Sequence, residues 1–275
     1  MLCVLLLLAF VSTRSVWQEI VRIGLSSEEQ SHIMLAPVVA IWLAWLRRGR
    51  LRFCRPEPSL WGPIAIGGGW AMSAIGFRTG VDIAWHLGAL IVVGGSLVTV
   101  VGVACVRQFL PAVIALLFLL PVPGTLRHAI ALPLQQVTAQ VGQGALEILG
   151  LPVERMGNVL IVNGQTVAVA EACNGMRMVS ALALISYAFV FSTPMRNRVR
   201  LVILALMPAL AILVNLIRMV PTVLLFGYAD LDFARLFHDF SGWASLALAL
   251  GLLWMLLSTM RWLEIPIARV AVSTE

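Results

Sequence analysis

Three short stretches of the chain carry residue types that could do chemistry together. They are EACNGMR at 171–177, NLIRMV at 215–220 and HDFSGW at 238–243. Cys173 could attack a peptide carbonyl as a thiolate, and His238 could move the proton. Arg218 could stabilise the oxyanion that forms on the carbonyl oxygen. A Cys, an Arg and a His therefore suit acyl transfer, provided that separate segments bring the three side chains to one place.

Cys173 lies where an apolar run begins, so the sequence predicts it at the N-terminal end of a helix. The helix dipole there favours an anion and lowers the pKa of a thiol. Arg177 follows one helical turn later on the same face. The alternative interpretation is a buried structural cysteine that packs as a small apolar residue.

Arg218 lies inside an apolar run, and Asn215 shares its helical face. A span that starts at 201 places Arg218 about 25 Å across a membrane at ~1.5 Å per residue. A charge there costs roughly 2.5–3.5 kcal/mol on insertion scales and by default indicates function. There are two alternative interpretations: the Arg218 side chain extends to the membrane–water interface, or it forms an ion pair with Asp239 or Glu171.

His238 comes just before the last apolar run, next to Asp239, which could orient or tune the imidazole. A lone His at a membrane surface is more often a plain interfacial residue. Arg cannot act as a base, because it does not lose its proton in proteins. Both Arg177 and Arg218 are candidates for the group that stabilises the oxyanion.

The composition indicates a polytopic membrane protein, because 60% of the 275 residues are hydrophobic and only 12% are charged. The net charge is +6, and all 19 basic residues are Arg. They form short clusters between apolar runs. Such clusters indicate how the chain is oriented in the membrane and do not indicate nucleic-acid binding. We predict contact with the lipid bilayer and no nucleic-acid partner.

We predict an all-α fold with about eight transmembrane helices, since eight apolar segments approach or exceed a bilayer crossing. The segments are 1–13, 33–46, 59–77, 83–105, 110–124, 174–192, 201–226 and 242–260. The first has no basic region before it and no cleavage site, so it is not a cleaved signal peptide. Without it, the chain would have seven spans in the same order.

With eight spans, the Arg clusters all fall on one side of the membrane, which is then cytoplasmic. They are Arg47, Arg48, Arg50, Arg52, Arg55, Arg107, Arg196, Arg198, Arg200, Arg261 and Arg269. Cys173 is then the one cysteine on the outer side, since Cys3, Cys54 and Cys105 fall in spans or on the inner side. It has no disulfide partner there, and the cysteine spacing predicts neither a metal nor a cofactor.

The longest non-spanning stretch, about 125–172, is predicted as an extracytoplasmic insert in one membrane domain of residues 1–275. Its first part mixes apolar and polar residues at helical spacing and indicates an interfacial helix. Two β-branched runs then flank Asn163-Gly164, the strongest short signal for a β-hairpin. The hairpin should lead directly into Cys173.

With these residues, the chain resembles the exosortase/archaeosortase family of membrane proteins, proposed Cys transpeptidases. SHIMLAPVVAIWLAWLRR at 31–48 is similar to the family's early Ser-His segment, and 119–162 to its Pro-rich entry, interfacial helix and Gly-Asn strand. EACNGMR, NLIRMV and HDFSGW resemble the nucleophile, Asn-x-x-Arg and His motifs. Asn174 stands where the family more often has Ser.

The resemblance implies Cys173, Arg218 and His238 as the catalytic residues. The motif positions that support or orient them are Glu171, Asn174, Gly175, Arg177, Asn215 and Asp239. It also implies exported substrates with a C-terminal sorting signal: a motif such as Pro-Glu-Pro, a transmembrane helix and an Arg-rich tail. The site would face outward from a bacterial cytoplasmic membrane, pass the acyl group to an unknown acceptor and serve exopolysaccharide or envelope biosynthesis.

The alternative function is a transporter or scaffold without catalysis, in which Arg218 binds an anion and Cys173 only packs. A transporter predicts repeat symmetry or broken helices in paired positions, and the sequence shows neither.

Overall fold

The computed structural model describes residues 1–168 and 175–262, and most of them are helical. The first helices are α1 (Leu2–Ser12), α2 (Arg14–Ser26), α3 (Ala36–Leu46), α4 (Trp61–Thr79), α5 (Asp82–Val101), α6 (Val103–Gln108) and α7 (Leu110–Ala115). Short 3-10 helices cover Glu28–Leu35, Arg48–Phe53 and Leu116–Leu119. The later helices are α8 (Gly124–Ile148), α9 (Gly175–Ser192), α10 (Asn197–Tyr228) and α11 (Leu231–Trp262), and strands β1 (Val153–Met156), β2 (Val159–Val162) and β3 (Gln165–Ala168) lie between α8 and α9.

The chain divides into two compact units. Unit 1 comprises Met1–Pro123 and Tyr187–Ser192, and unit 2 comprises the described parts of Gly124–Ser186 and Thr193–Glu275. The residues predicted to carry chemistry all belong to the ranges of unit 2.

In unit 1, α4 and α5 pack with their backbones in close contact, because glycines line the surface between them. A Cβ atom placed on Gly88 would lie 2.5 Å from the carbonyl oxygen of Gly69 and 2.5 Å from the backbone nitrogen of Ser73. Gly62 and Gly76 extend the same row along α4. Small residues let membrane helices approach this closely and gain dispersion energy along their whole length.

We expect Gly88→Ala to lower the melting temperature of the protein, because the new methyl group overlaps backbone atoms that cannot move aside. Overpacking of this kind costs about 1–3 kcal/mol. Gly94→Ala on the same helix is the matched control, since a Cβ there meets nothing within 4 Å. Thermal denaturation of the purified protein in detergent measures both variants, and equal melting temperatures would contradict the close packing of the two backbones.

The stretch that follows α1 is helical, although it lies between the predicted segments 1–13 and 33–46. α2 turns away from α1 by 71°. Its residues Val16, Ile20 and Gly24 are buried at a spacing of four, which is the pattern of an amphipathic helix. At the bend the Trp17 indole donates to the Thr13 hydroxyl at 2.8 Å, which in turn donates to the Ala9 carbonyl at 2.7 Å.

Among the described residues, three helices are long and apolar enough to cross a membrane, or up to six if each bent pair is one span. The three are Glu29–Leu46, Asp82–Val101 and Asn197–Tyr228. The predicted segment 110–124 is helical only over Leu110–Leu119, which is too short for a full crossing by itself. The membrane-spanning helical architecture is therefore supported, while the number of eight spans stays a prediction.

In unit 2, α8 and the three-stranded antiparallel sheet pack on α10. The strand order is β1-β2-β3, and one face of the sheet buries Val153, Leu160, Val162 and Val167 against α8 and α10. The interfacial helix and the hairpin around Asn163-Gly164 are thus confirmed as secondary structure. Strand β1 adds a third strand to the predicted hairpin.

Tight turns set the register of the sheet. Asn163 and Gly164 have φ values of 51° and 72°, and positive φ at both central residues is what a type I′ turn requires. The Asn163 side-chain amide also donates to the Gly227 carbonyl at 2.9 Å, which ties the turn to the end of α10. The sheet is thereby held at the same end of α10 that carries Arg218.

Candidate functional site

Arg218 lies on α10 beside a buried amide. Its Nη2 donates to the Asn215 Oδ1 at 3.4 Å, and Asn215 is only 2% exposed. The helical spacing of three therefore places the two side chains on one face, as the sequence predicts. Because the buried Asn215 is fixed by its packing, its oxygen orients a guanidinium that is itself only partly buried.

The guanidinium of Arg218 faces the first half of α11. A Cβ atom placed on Gly242 would lie 3.6 Å from the Arg218 Nη1. Gly242 follows His238 by four residues, so the two share one face of α11. Two helices of unit 2 thus bring the guanidinium and the turn that begins with His238 to the same layer.

His238 is a helical residue, whereas the sequence analysis places it before the last span. The helix starts at Leu231 because the Asp230 carboxylate accepts from the backbone N–H groups of Asp232 and Phe233, at 3.1 and 3.4 Å. This is an N-terminal cap. The helix bends by 43° between Leu231–Gly242 and Ala247–Met260, so His238 lies in the first of its two straight parts.

The imidazole of His238 pairs with its neighbour in sequence. Its Nδ1 lies 3.2 Å from the Asp239 Oδ1, and the two side chains are 29% and 81% exposed. An exposed pair contributes little stability. With Nδ1 as the donor to the carboxylate, Nε2 is the basic atom that can take up or release a proton.

The nucleophile motif falls at the gap between the two described ranges. Glu171, Cys173 and Asn174 lie outside the described residues. The backbones of Gly175 and Arg177 form the first turn of α9, and their side chains are not described. The distances from the Cys173 sulfur to Arg218 and His238 therefore stay predictions, as does the choice between Arg177 and Arg218.

Gly242 is a residue of this site that the sequence analysis does not single out, although it belongs to the quoted stretch HDFSGW. Its spacing of four from His238 is the signal that could have identified it. A glycine here leaves the space beside the guanidinium open, which a larger side chain would fill.

Of the remaining thiols, Cys105 is 1% exposed, Cys54 is half-buried and Cys3 is exposed on α1. Thiols buried in apolar surroundings are inert. Cys105 therefore provides a natural control for experiments on Cys173.

Comparison with known proteins identifies one family. A family model described as transmembrane exosortase matches residues 17–255. The matched range includes all three stretches on which the site was predicted. Comparisons with curated proteins and with solved structures return no match.

Proposed function

The chain belongs to the transmembrane exosortase family, and from this premise we propose that it is a Cys-dependent peptidase and transpeptidase acting on C-terminal sorting signals of exported proteins. Family membership and the apolar helices support an integral membrane protein with a transpeptidase-type role. The observation that carries the proposal is the position of the Arg218 guanidinium against the turn of α11 that begins with His238.

In the first half of the reaction, the Cys173 thiolate attacks the scissile carbonyl and forms a C–S bond. Arg218 stabilises the negative oxygen of the tetrahedral intermediate. The C–N bond then breaks, and His238 gives its proton to the leaving amine. The products are a thioester on Cys173 and a released fragment that carries the transmembrane helix and the Arg-rich tail.

In the second half, an acceptor attacks the thioester carbonyl. Neutral His238 takes the proton of the acceptor, the C–S bond breaks and the thiolate is restored. An amine or hydroxyl acceptor gives transfer, and water gives hydrolysis. The same three side chains serve both halves, because the second is the first in reverse with a different nucleophile.

The membrane itself contributes to catalysis in this proposal. A substrate held by its own transmembrane helix meets the enzyme in two dimensions at a fixed depth, which removes part of the entropy cost of the encounter. Basic residues next to a transmembrane helix stay on the cytoplasmic side. The Arg-rich tail of the substrate therefore stays there, as the Arg clusters of the enzyme do. The cleavage site is then on the outer face of the cytoplasmic membrane, where substrates for envelope or exopolysaccharide assembly are handled.

The test is the processing of an exported reporter that ends in a Pro-Glu-Pro motif, a transmembrane helix and an Arg-rich tail. We expect a shorter reporter in cells that express the chain, and an unprocessed reporter when the motif is scrambled. A full-length reporter with every sorting motif tried would contradict the proposal. That result would favour the non-enzymatic scaffold in which Arg218 binds an anion.

A further inference from the structure

Strand β3 lies at the edge of the sheet and is the last described strand before the nucleophile in the sequence. In the order β1-β2-β3, β2 is its one partner among the described strands. Its last residue, Ala168, precedes Cys173 by five positions. Five residues span at most ~18 Å at ~3.6 Å each, so Ala168 at the end of this edge lies within that distance of Cys173.

The register shows which backbone groups of β3 point away from β2. The two-residue turn makes Val162 and Gln165 a hydrogen-bonded pair, and pairs of this kind alternate along an antiparallel ladder. Val167 therefore pairs with Leu160, while the N–H and C=O groups of Thr166 and Ala168 point to the free edge.

The edge is both fixed and accessible. Val167 is 5% exposed and packs in the core between the sheet and α10, which holds the strand in place. Gln165 and Thr166 are exposed. By contrast, β1 at the opposite edge contacts α8, and its Arg155 side chain donates to Gln143 and to the Gly157 carbonyl.

We propose that the free edge of β3 binds the substrate segment next to the scissile bond as a fourth strand, through the backbone groups of Thr166 and Ala168. The proposal rests on the proposed function and specifies how that site holds its substrate. The occupant is an extended peptide with free backbone N–H and C=O groups. An open edge is a template for such pairing, and peptides add to sheets in this way in other recognition systems.

The position of the edge selects this occupant. A peptide that pairs with Ala168 is held within a short chain length of the thiol, since Cys173 follows Ala168 by five positions. The hydrogen bonds would hold the substrate extended and fixed in position, which lowers the entropy cost of bringing its carbonyl to the thiol. A second copy of the chain is the other possible occupant, and the experiment distinguishes it.

Proline at position 168 removes the N–H group that points to the free edge and leaves the pairing with β2 intact. Edge strands tolerate proline at such positions. We expect Ala168→Pro to reduce reporter processing by about tenfold or more, through the lost hydrogen bond and the occupied edge. Gln165→Val is the control in the same strand: it changes an exposed side chain, its backbone groups pair with Val162 and not with the substrate, and it should process the reporter normally.

Two readouts separate lost pairing from a damaged fold. The melting temperature of Ala168→Pro should equal that of the unchanged protein, and a small maleimide should label Cys173 at the same rate in both. Equal processing by Ala168→Pro and the unchanged protein would overturn the proposal. If Cys173→Ala abolishes processing in the same assay, the proposed function still stands.

Disulfide cross-linking tests the pairing even where Ala168→Pro does not fold. Thr166→Cys in the Cys173→Ala background is combined with single cysteines along the reporter motif. We expect cross-links at every second motif position, the repeat of an extended strand. Cross-links at a spacing of three or four, or cross-links only between two copies of the enzyme, would overturn the proposal.

Discussion

Cys173→Ala and Cys173→Ser are expected to lose at least about 10³-fold in reporter processing, because both remove the group that forms the covalent intermediate. Ser keeps the size of the side chain, but its hydroxyl is scarcely ionised at neutral pH. The initial rate of reporter cleavage in isolated membranes measures the loss. Both variants should accumulate as the unchanged protein does.

The control for Cys173 is Cys105→Ala, which removes a buried thiol in the other compact unit. It should keep full processing if the membranes hold equal amounts of protein. Normal cleavage by Cys173→Ala, or a loss of cleavage with Cys105→Ala at equal protein levels, would contradict the assignment of the nucleophile.

Arg218→Ala is expected to lower the rate of cleavage by about 10²–10³-fold, the loss found when one donor to an oxyanion is removed. The loss should fall on kcat more than on KM, because the oxyanion exists only in the transition state. Arg218→Lys keeps the charge but loses the planar fork that holds the Asn215 oxygen, so it should recover only part of the rate.

Arg235→Ala is the matched control for Arg218, since its side chain is 69% exposed and pairs with the exposed Asp232. It should have no effect on the rate. Arg177→Ala decides between the two candidate arginines. A larger loss of kcat for Arg177→Ala than for Arg218→Ala would identify Arg177 as the residue that stabilises the oxyanion.

The elements that the sequence predicts correctly are those with a strong local signal. A type I′ turn requires positive φ at two successive residues, and Asn163-Gly164 adopts it. The pair is therefore enough to predict the hairpin. The helical spacing of apolar residues in the first part of 125–172 predicts α8 in the same way. The link between Asn215 and Arg218 also follows from spacing alone, since three residues along a helix cover nearly one turn.

The features that sequence misses depend on contacts between distant residues. Strand β1, Val-Glu-Arg-Met, has a mixed pattern and becomes a strand by pairing with β2. α11 begins at Leu231 because Asp230 caps it, although the apolar run that marks the span starts later. The open space that Gly242 leaves beside Arg218 depends on how two helices pack, and neither segment alone has a sequence signature for it.

The number of spans is the other part that sequence does not fix. Hydropathy measures how apolar a segment is, but a bend turns one apolar run into two short helices. The 71° turn between α1 and α2 and the 43° bend within α11 are of this kind. Arg218 lies on α10, which passes as a single span, whereas His238 lies on the part of α11 that precedes its bend.

The most direct test of a Cys-dependent transpeptidase is to capture its thioester. Purified enzyme in lipid nanodiscs is mixed with a sorting-signal substrate, quenched in acid and analysed by mass spectrometry. We predict an adduct of the N-terminal substrate fragment on Cys173, released by neutral hydroxylamine and absent from Cys173→Ser. Cleavage of the substrate with no adduct on Cys173, at the same rate in Cys173→Ser, would contradict the account.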